Sequence, residues 1–195
     1  MAAAQSDKMS LPTRSDLTDG VVLLRQPREA DIEAIALGAG DPLVAKYTVV
    51  PSPYTEQDAR DFVSKIEQHW DEATAAVFGI FEAEAPADFL GMIGLHDLVL
   101  EGTPGGSAEI GYWMSPGARR RGLATRAVRL VSTWAIDELG LARIQWCALP
   151  DNDASRIVAE SVGYRVEGTL RLGMLQRGLR HDQLLGSLLP ADLIR

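Results

Sequence analysis

Arg119-Arg120-Arg121-Gly122-Leu123-Ala124 lies between an apolar, strand-like stretch, Ala108-Glu109-Ile110-Gly111-Tyr112-Trp113-Met114, and a helix-patterned one running from Leu123 to Leu139. A glycine-bearing turn that enters a helix leaves several backbone N–H groups without carbonyl partners, and the helix dipole adds its positive end there. Together these make a seat for a pyrophosphate. A dinucleotide fold would need G-x-G-x-x-G after its first strand, and a P-loop would need G-x-x-x-x-G-K-[ST]; the sequence contains neither.

Outward from the turn, Leu123, Ala127, Leu130, Val131, Trp134, Ala135 and Leu139 keep helical period, and Gly140 fits the C-cap. A strand over Ala142 to Leu149 follows, then Asp151-Asn152-Asp153-Ala154-Ser155 opening a short helix that Gly163 stops. Tyr164 to Leu172 and Gln183 to Leu189 are expected to pair as antiparallel strands across a Gly173 to Arg180 loop.

Upstream, residues 1–18 are polar, small and aperiodic and read as a flexible tail, leaving residues 19–195 as one domain. Val21 to Leu24 is strand-like, and Arg28 to Asp31 opens a helix ended by Gly38 and Gly40. A turn-rich passage, Asp41 to Pro53, is expected next. Thr55 then caps a helix that runs to about Trp70 with Ala59, Phe62, Val63 and Ile66 at helical spacing. Strands over Ala75 to Glu82 and Phe89 to Leu98 form a hairpin, and Gly102 to Gly106 is a loop. Strands followed by a helical crossover predict an α+β (α/β) sheet with helices on both faces.

A chain of 195 residues with 46% hydrophobic and 24% charged residues reads as one globular domain, long enough to bury a sizeable core. No apolar run approaches the roughly 18 residues of a membrane span, so a cytoplasmic location is expected. The single cysteine, Cys147, excludes an internal disulfide, and the three histidines are too scattered for a zinc constellation, so no metal is expected. A net charge of −8 argues against general nucleic-acid binding and suits a cationic amine.

Arg-x-x-Gly-x-Ala at Arg119, Gly122 and Ala124 resembles the acetyl-CoA pyrophosphate loop of the GNAT superfamily of N-acetyltransferases. With Ala-Glu-Ile-Gly-Tyr-Trp before it, and Asn-x-x-Ser and Gly-Tyr-x-x-Glu-Gly after it, the chain resembles the RimJ/RimL-like branch. The resemblance runs from about Val21 to Leu189 and is most specific between Glu109 and Gly168. It implies a mixed central sheet of about seven strands, splayed in the middle, and direct transfer of an acetyl group to a primary amine. The acceptor would be a protein N-terminus or a small molecule, and a homodimer is possible. A non-catalytic acyl-CoA-binding sensor or interaction module is the alternative.

The resemblance also assigns roles. Main-chain groups of Trp113, Met114 and Ser115 would pair with the pantetheine of acetyl-CoA. Arg119, Arg120, Arg121, Gly122, Leu123, Ala124 and Thr125 would hold the diphosphate, Asn152 would bond the pantetheine, and Ser155 would stand near the sulfur, able to protonate the departing thiolate. Acetyl transfer also needs a group that removes the amine's proton. Strand alternation puts Glu109 on the face shared by Gly111 and Trp113, opposite Ala108, Ile110 and Tyr112, which makes it the candidate base. His96, at a strand end, is a further candidate for the acceptor side. Cys147 reads as a small buried hydrophobe rather than a nucleophile.

Overall fold

A computed structural model describes residues 11, 15–100 and 105–195. Most of the expected tail and part of the Gly102–Gly106 loop lie outside the described residues. Eight strands form one sheet: β1 (Leu17–Thr18), β2 (Val22–Arg25), β3 (Ala76–Glu82), β4 (Phe89–Val99), β5 (Gly106–Met114), β6 (Leu141–Ala148), β7 (Arg165–Gln176) and β8 (Leu179–Leu188). Their order is β1-β2-β3-β4-β5-β6-β8-β7. The helices are α1 (Ile32–Ala39), α2 (Pro42–Tyr47), α3 (Glu56–Asp71), α4 (Leu123–Asp137) and α5 (Asp153–Glu160). The strand beyond the expected seven is β1, which pairs Leu17 with Leu24 and Thr18 with Leu23 at the sheet edge.

All neighbours are antiparallel except β5 and β6, which are parallel and joined through α4. Their pairing ends at Ile110 and Trp146. Beyond that point β5 stays with β4 as far as Gly91–Met114, and β6 stays with β8 as far as Ala148–Leu184. The two strands therefore diverge, and a wedge opens in the middle of the sheet.

The amphipathic α4 buries Leu123, Ala127, Val128, Val131 and Ala135 and lies across β2, β4, β5 and β6, whose Leu24, Ile93, Leu95, Ile110 and Ile144 are fully buried. Each such side chain contributes about 1.5–3 kcal/mol. Trp70, Phe78 and Trp134 pack mutually with centroids 5.4–5.9 Å apart, which joins the end of α3 to α4. At the other side of the core Arg25 makes two hydrogen bonds, of 2.7 and 2.9 Å, to the buried Asp31 carboxylate. The same guanidinium lies 3.6 Å from the Phe81 ring centroid, and Asp31 also accepts the Arg28 N–H at 2.7 Å.

Two expectations are corrected. The passage after Asp41 is a helix, because Asp41 caps it by accepting from the Leu43 and Val44 N–H groups and Pro42 takes the first helical position with its φ already set. The Gly173–Arg180 stretch is not a loop. Instead β7 and β8 run through it to a two-residue turn, Arg177-Gly178, with φ of 46° and 80°, the turn geometry that matches strand twist. A register shift between Leu170 and Met174 absorbs Gly173. The hairpin tip then docks on α2: Gln176 Nε2 donates to the carbonyls of Lys46 at 2.9 Å and Thr48 at 2.6 Å, and Arg177 donates to those of Ala45 and Val50. The C-terminal carbonyls of α2, which lack helical partners, are satisfied in this way.

Candidate active site

The wedge holds a cleft of about 620 Å³, walled by Tyr112, Trp113 and Met114 on β5, by Arg119, Arg120 and Gly122 to Thr125 of the turn, by Asn152 and Ser155 at the start of α5, and by Val44, Tyr47 and Thr48. Gly122 is the N-cap of α4. Its φ of 74° is in the left-handed region, and no side chain caps the helix. The first helical hydrogen bond runs from Arg126 N–H to the Gly122 carbonyl, so the N–H groups before it have no helical acceptor. A Cβ on Gly122 would meet nothing within 4 Å. The result is a bare, positively polarised helix start on the cleft wall, which fits a diphosphate.

The three arginines divide. Arg119 donates through Nη2 to Asp41 at 2.5 Å and through Nε to the Met114 carbonyl at 3.0 Å, so its side chain braces the turn against α2 and β5 instead of facing a phosphate. Burial alone would raise the Asp41 pKa; Arg119 and the amides at the start of α2 outweigh it and hold the carboxyl below its usual range. Arg121 pairs with Glu82 on β3 and is not part of the cleft wall. Arg120, at φ 58°, lines the cleft and has no ion pair among the described residues. Ser115 is also not brought to the cleft: its N–H bonds the Leu90 carbonyl and its Oγ sits against α1, 2.8 Å from where a Cβ on Gly38 would lie.

Asn152 caps α5 by accepting the Ser155 N–H at 3.2 Å, which presents Ser155 to the cleft. The Ser155 hydroxyl accepts from Trp146 Nε1 and donates to the Tyr112 hydroxyl, both at 3.0 Å, and Tyr112 in turn donates to the Ser155 carbonyl at 2.8 Å. Burial pushes the Tyr112 pKa up to about 12, so it stays a neutral hydroxyl. The polar role of Tyr112 depends on Ser155, 43 residues away, and is not visible in strand alternation.

Glu109 is on the predicted face but below the cleft, outside its wall. It stands in register with His96 on β4 and Gln145 on β6, and Gln145 Nε2 donates to its Oε2 at 2.9 Å. The polar row continues through Ser187, in register with Gln145, whose hydroxyl donates to Glu167 at 2.6 Å. Glu167 also takes two hydrogen bonds from Arg143, at 2.7 and 2.6 Å, and these with Ser187 hold its pKa down to about 2. Gln145 and Ser187 escaped sequence reasoning because only strand register links them to Glu109. Beside this row, burial and the neighbouring Glu109 charge push the Cys147 thiol up to about 12. Its alkylation by iodoacetamide at pH 8 is expected to run about a thousandfold slower than that of a free cysteine, from the smaller thiolate fraction. Labelling at the rate of glutathione would contradict that environment.

Residues 22–165 match the family described as acetyltransferase (GNAT) domain. YdaF of Bacillus subtilis (strain 168), whose name as a ribosomal N-acetyltransferase is provisional, is 40% identical over 102 residues; that match spans 52% of this chain and 54% of YdaF. Among solved structures, RimJ of Mycobacterium smegmatis in complex with CoA-disulfide superposes with a TM-score of 0.84 at 22% identity, covering 96% of this chain and 93% of that one. RimL, a ribosomal L7/L12 alpha-N-protein acetyltransferase solved with coenzyme A, gives a TM-score of 0.78 at 18% identity over 90% and 98% of the two chains. With the splayed parallel pair, the bare helix start at Gly122 and a family match over most of the sequence, this chain belongs to the GNAT acetyltransferases, enzymes that move an acetyl group from acetyl-CoA to an amine.

Proposed function

We propose that the amine acceptor is the N-terminal amine of a protein and that the enzyme works in the cytoplasm. The observation that carries this reading is the polar row Glu109–Gln145–Ser187–Glu167, which crosses four strands. At about 4.8 Å between strands it offers roughly 14 Å of floor, enough for several residues of an extended chain. Its carboxylates and the net charge of −8 favour a cationic terminus. The names of YdaF and RimL point the same way.

On this reading the N–H groups of Leu123, Ala124 and Thr125 and the Arg120 side chain hold the diphosphate, and Gly122 leaves them room. Met114 presents its main-chain N–H along the wedge, whereas the Trp113 carbonyl faces Gly91 on β4. Ser155 stands on the cleft wall, and on turning its O–H away from Tyr112 it hydrogen-bonds the departing sulfur, which eases release of a thiolate that is already a fair leaving group, with pKa near 8.5. Glu109 supplies negative charge that draws a cationic acceptor to this face.

The test is release of free CoA thiol from acetyl-CoA on offering N-terminal peptides, aminoglycosides and polyamines, after calorimetric binding of acetyl-CoA. Peptides are expected to give the highest kcat/KM. Preference for a polyamine or aminoglycoside by tenfold or more overturns the acceptor assignment, and binding without release for every amine overturns catalysis in favour of a sensing module.

A further inference from the structure

His96 and Glu109 are cross-strand partners, yet their side chains leave that row in different directions. Glu109 reaches sideways to β6, where Gln145 holds Oε2 at 2.9 Å. The His96 ring leans along the sheet. A Cβ on Gly94 would lie 3.1 Å from its Nε2, and one on Gly111 would lie 3.6 Å from its Cδ2, so the imidazole lies over the Gly94–Gly111 pair. The next row is Met92–Trp113, and Trp113 forms part of the cleft wall. At about 3.4 Å per residue the ring is roughly 7 Å from that row, while the Glu109 backbone is roughly 14 Å from it. Of the titratable groups in the row, the imidazole thus stands nearest the cleft, within reach of a short chain of waters.

Deepening the acetyl-transfer reading on which it rests, we propose that His96 accepts the proton released by the attacking amine through a short chain of waters, with Glu109, held by Gln145, as counter-ion to the imidazolium. The nitrogen–carbon bond forms as the carbon–sulfur bond breaks. The amine proton passes to His96, and the thiolate is protonated from water. His96 returns its proton to solvent through its exposed edge. The titratable groups facing the ring are Glu109 on β5, Asp97 beside it on β4 and His69 near the end of α3. Burial of the rest of the ring outweighs the two carboxylates and holds its pKa below the ordinary imidazole value, so the ring is neutral and receptive at neutral pH. Glycine at 94 has a reason in this arrangement, since a side chain there would crowd the ring.

The experiment compares wild type with His96→Gln, His96→Ala and Glu109→Gln, reading kcat and KM from about pH 5.5 to 9, acetyl-CoA affinity by calorimetry and folding by thermal melting. His96→Gln is expected to lower kcat by about a hundredfold, to leave the acetyl-CoA Kd within about twofold and to flatten the acidic limb of kcat/KM. Imidazole added to His96→Ala is expected to restore part of the rate. Glu109→Gln keeps the limb but moves it to lower pH, because losing the counter-ion favours neutral histidine. Retention of kcat within about threefold by both His96 variants, or loss of the limb only in Glu109→Gln, overturns the assignment to His96. A wild type that binds acetyl-CoA and releases no thiol overturns the acetyl-transfer reading itself.

Discussion

Gly122→Val is expected to weaken acetyl-CoA binding by about a hundredfold or more, with the fold retained. Two effects act together. The backbone at φ 74° is one that β-branched residues avoid, at about 1–2 kcal/mol, so the turn shifts and its N–H groups lose their common direction. The added carbons also occupy the open space that the bare helix start faces, where now nothing lies within 4 Å. Calorimetry on the variant measures the loss. Gly117→Ala is the control, since it meets nothing within 4 Å and has no positive φ, and its affinity should stay within about twofold. Binding by Gly122→Val as tight as wild type would place the diphosphate seat elsewhere.

Asp31→Ala is expected to destabilise the protein by about 3–5 kcal/mol, the scale for removing one member of a buried ion pair. The substitution strands the Arg25 guanidinium at 7% exposure and leaves the Arg28 N–H without its acceptor. For a chain of this size the melting temperature should fall by roughly 6–20 °C. Removing both charges, as Arg25→Met with Asp31→Leu, should recover much of the loss, because the stranded charge causes most of it. A fall of under 2 °C for Asp31→Ala would mean that Arg25 finds water, and that the pair is not sealed.

The turn at Gly122, the strand before it and the helix after it were legible because alternation and glycine at a helix start are local requirements, set within a few residues. The order of strands around it was legible for the same reason, through alternation and caps. What escaped the sequence is mostly long-range. Arg119 matches a phosphate-loop motif, but Asp41, 78 residues away, fixes its side chain. Ser115 follows Met114 directly, yet alternation turns it toward α1 while Met114 stays on the cleft wall. The error at Asp41–Pro42 was one of reading: an aspartate and a proline suit a turn and a helix start equally, and only the apolar Val44 beneath decides. At Gly173 to Arg180, glycines taken as loop markers serve a bulge and a tight hairpin turn inside a continuous ladder.

The short helix α2 is tied at its front by Asp41 to Arg119 and at its back by Gln176, which reaches Lys46 across 130 residues of sequence. Six residues in one piece of chain thus depend on two others for their position. Anyone reshaping the cleft by transplanting the α2 segment from a relative would have to carry the partners at 119 and 176 with it. A library that varies Pro42–Tyr47 alone samples misplaced helices more often than new pockets, whereas one that varies the outward-facing Leu43 and Lys46 and keeps both anchors stays within the scaffold.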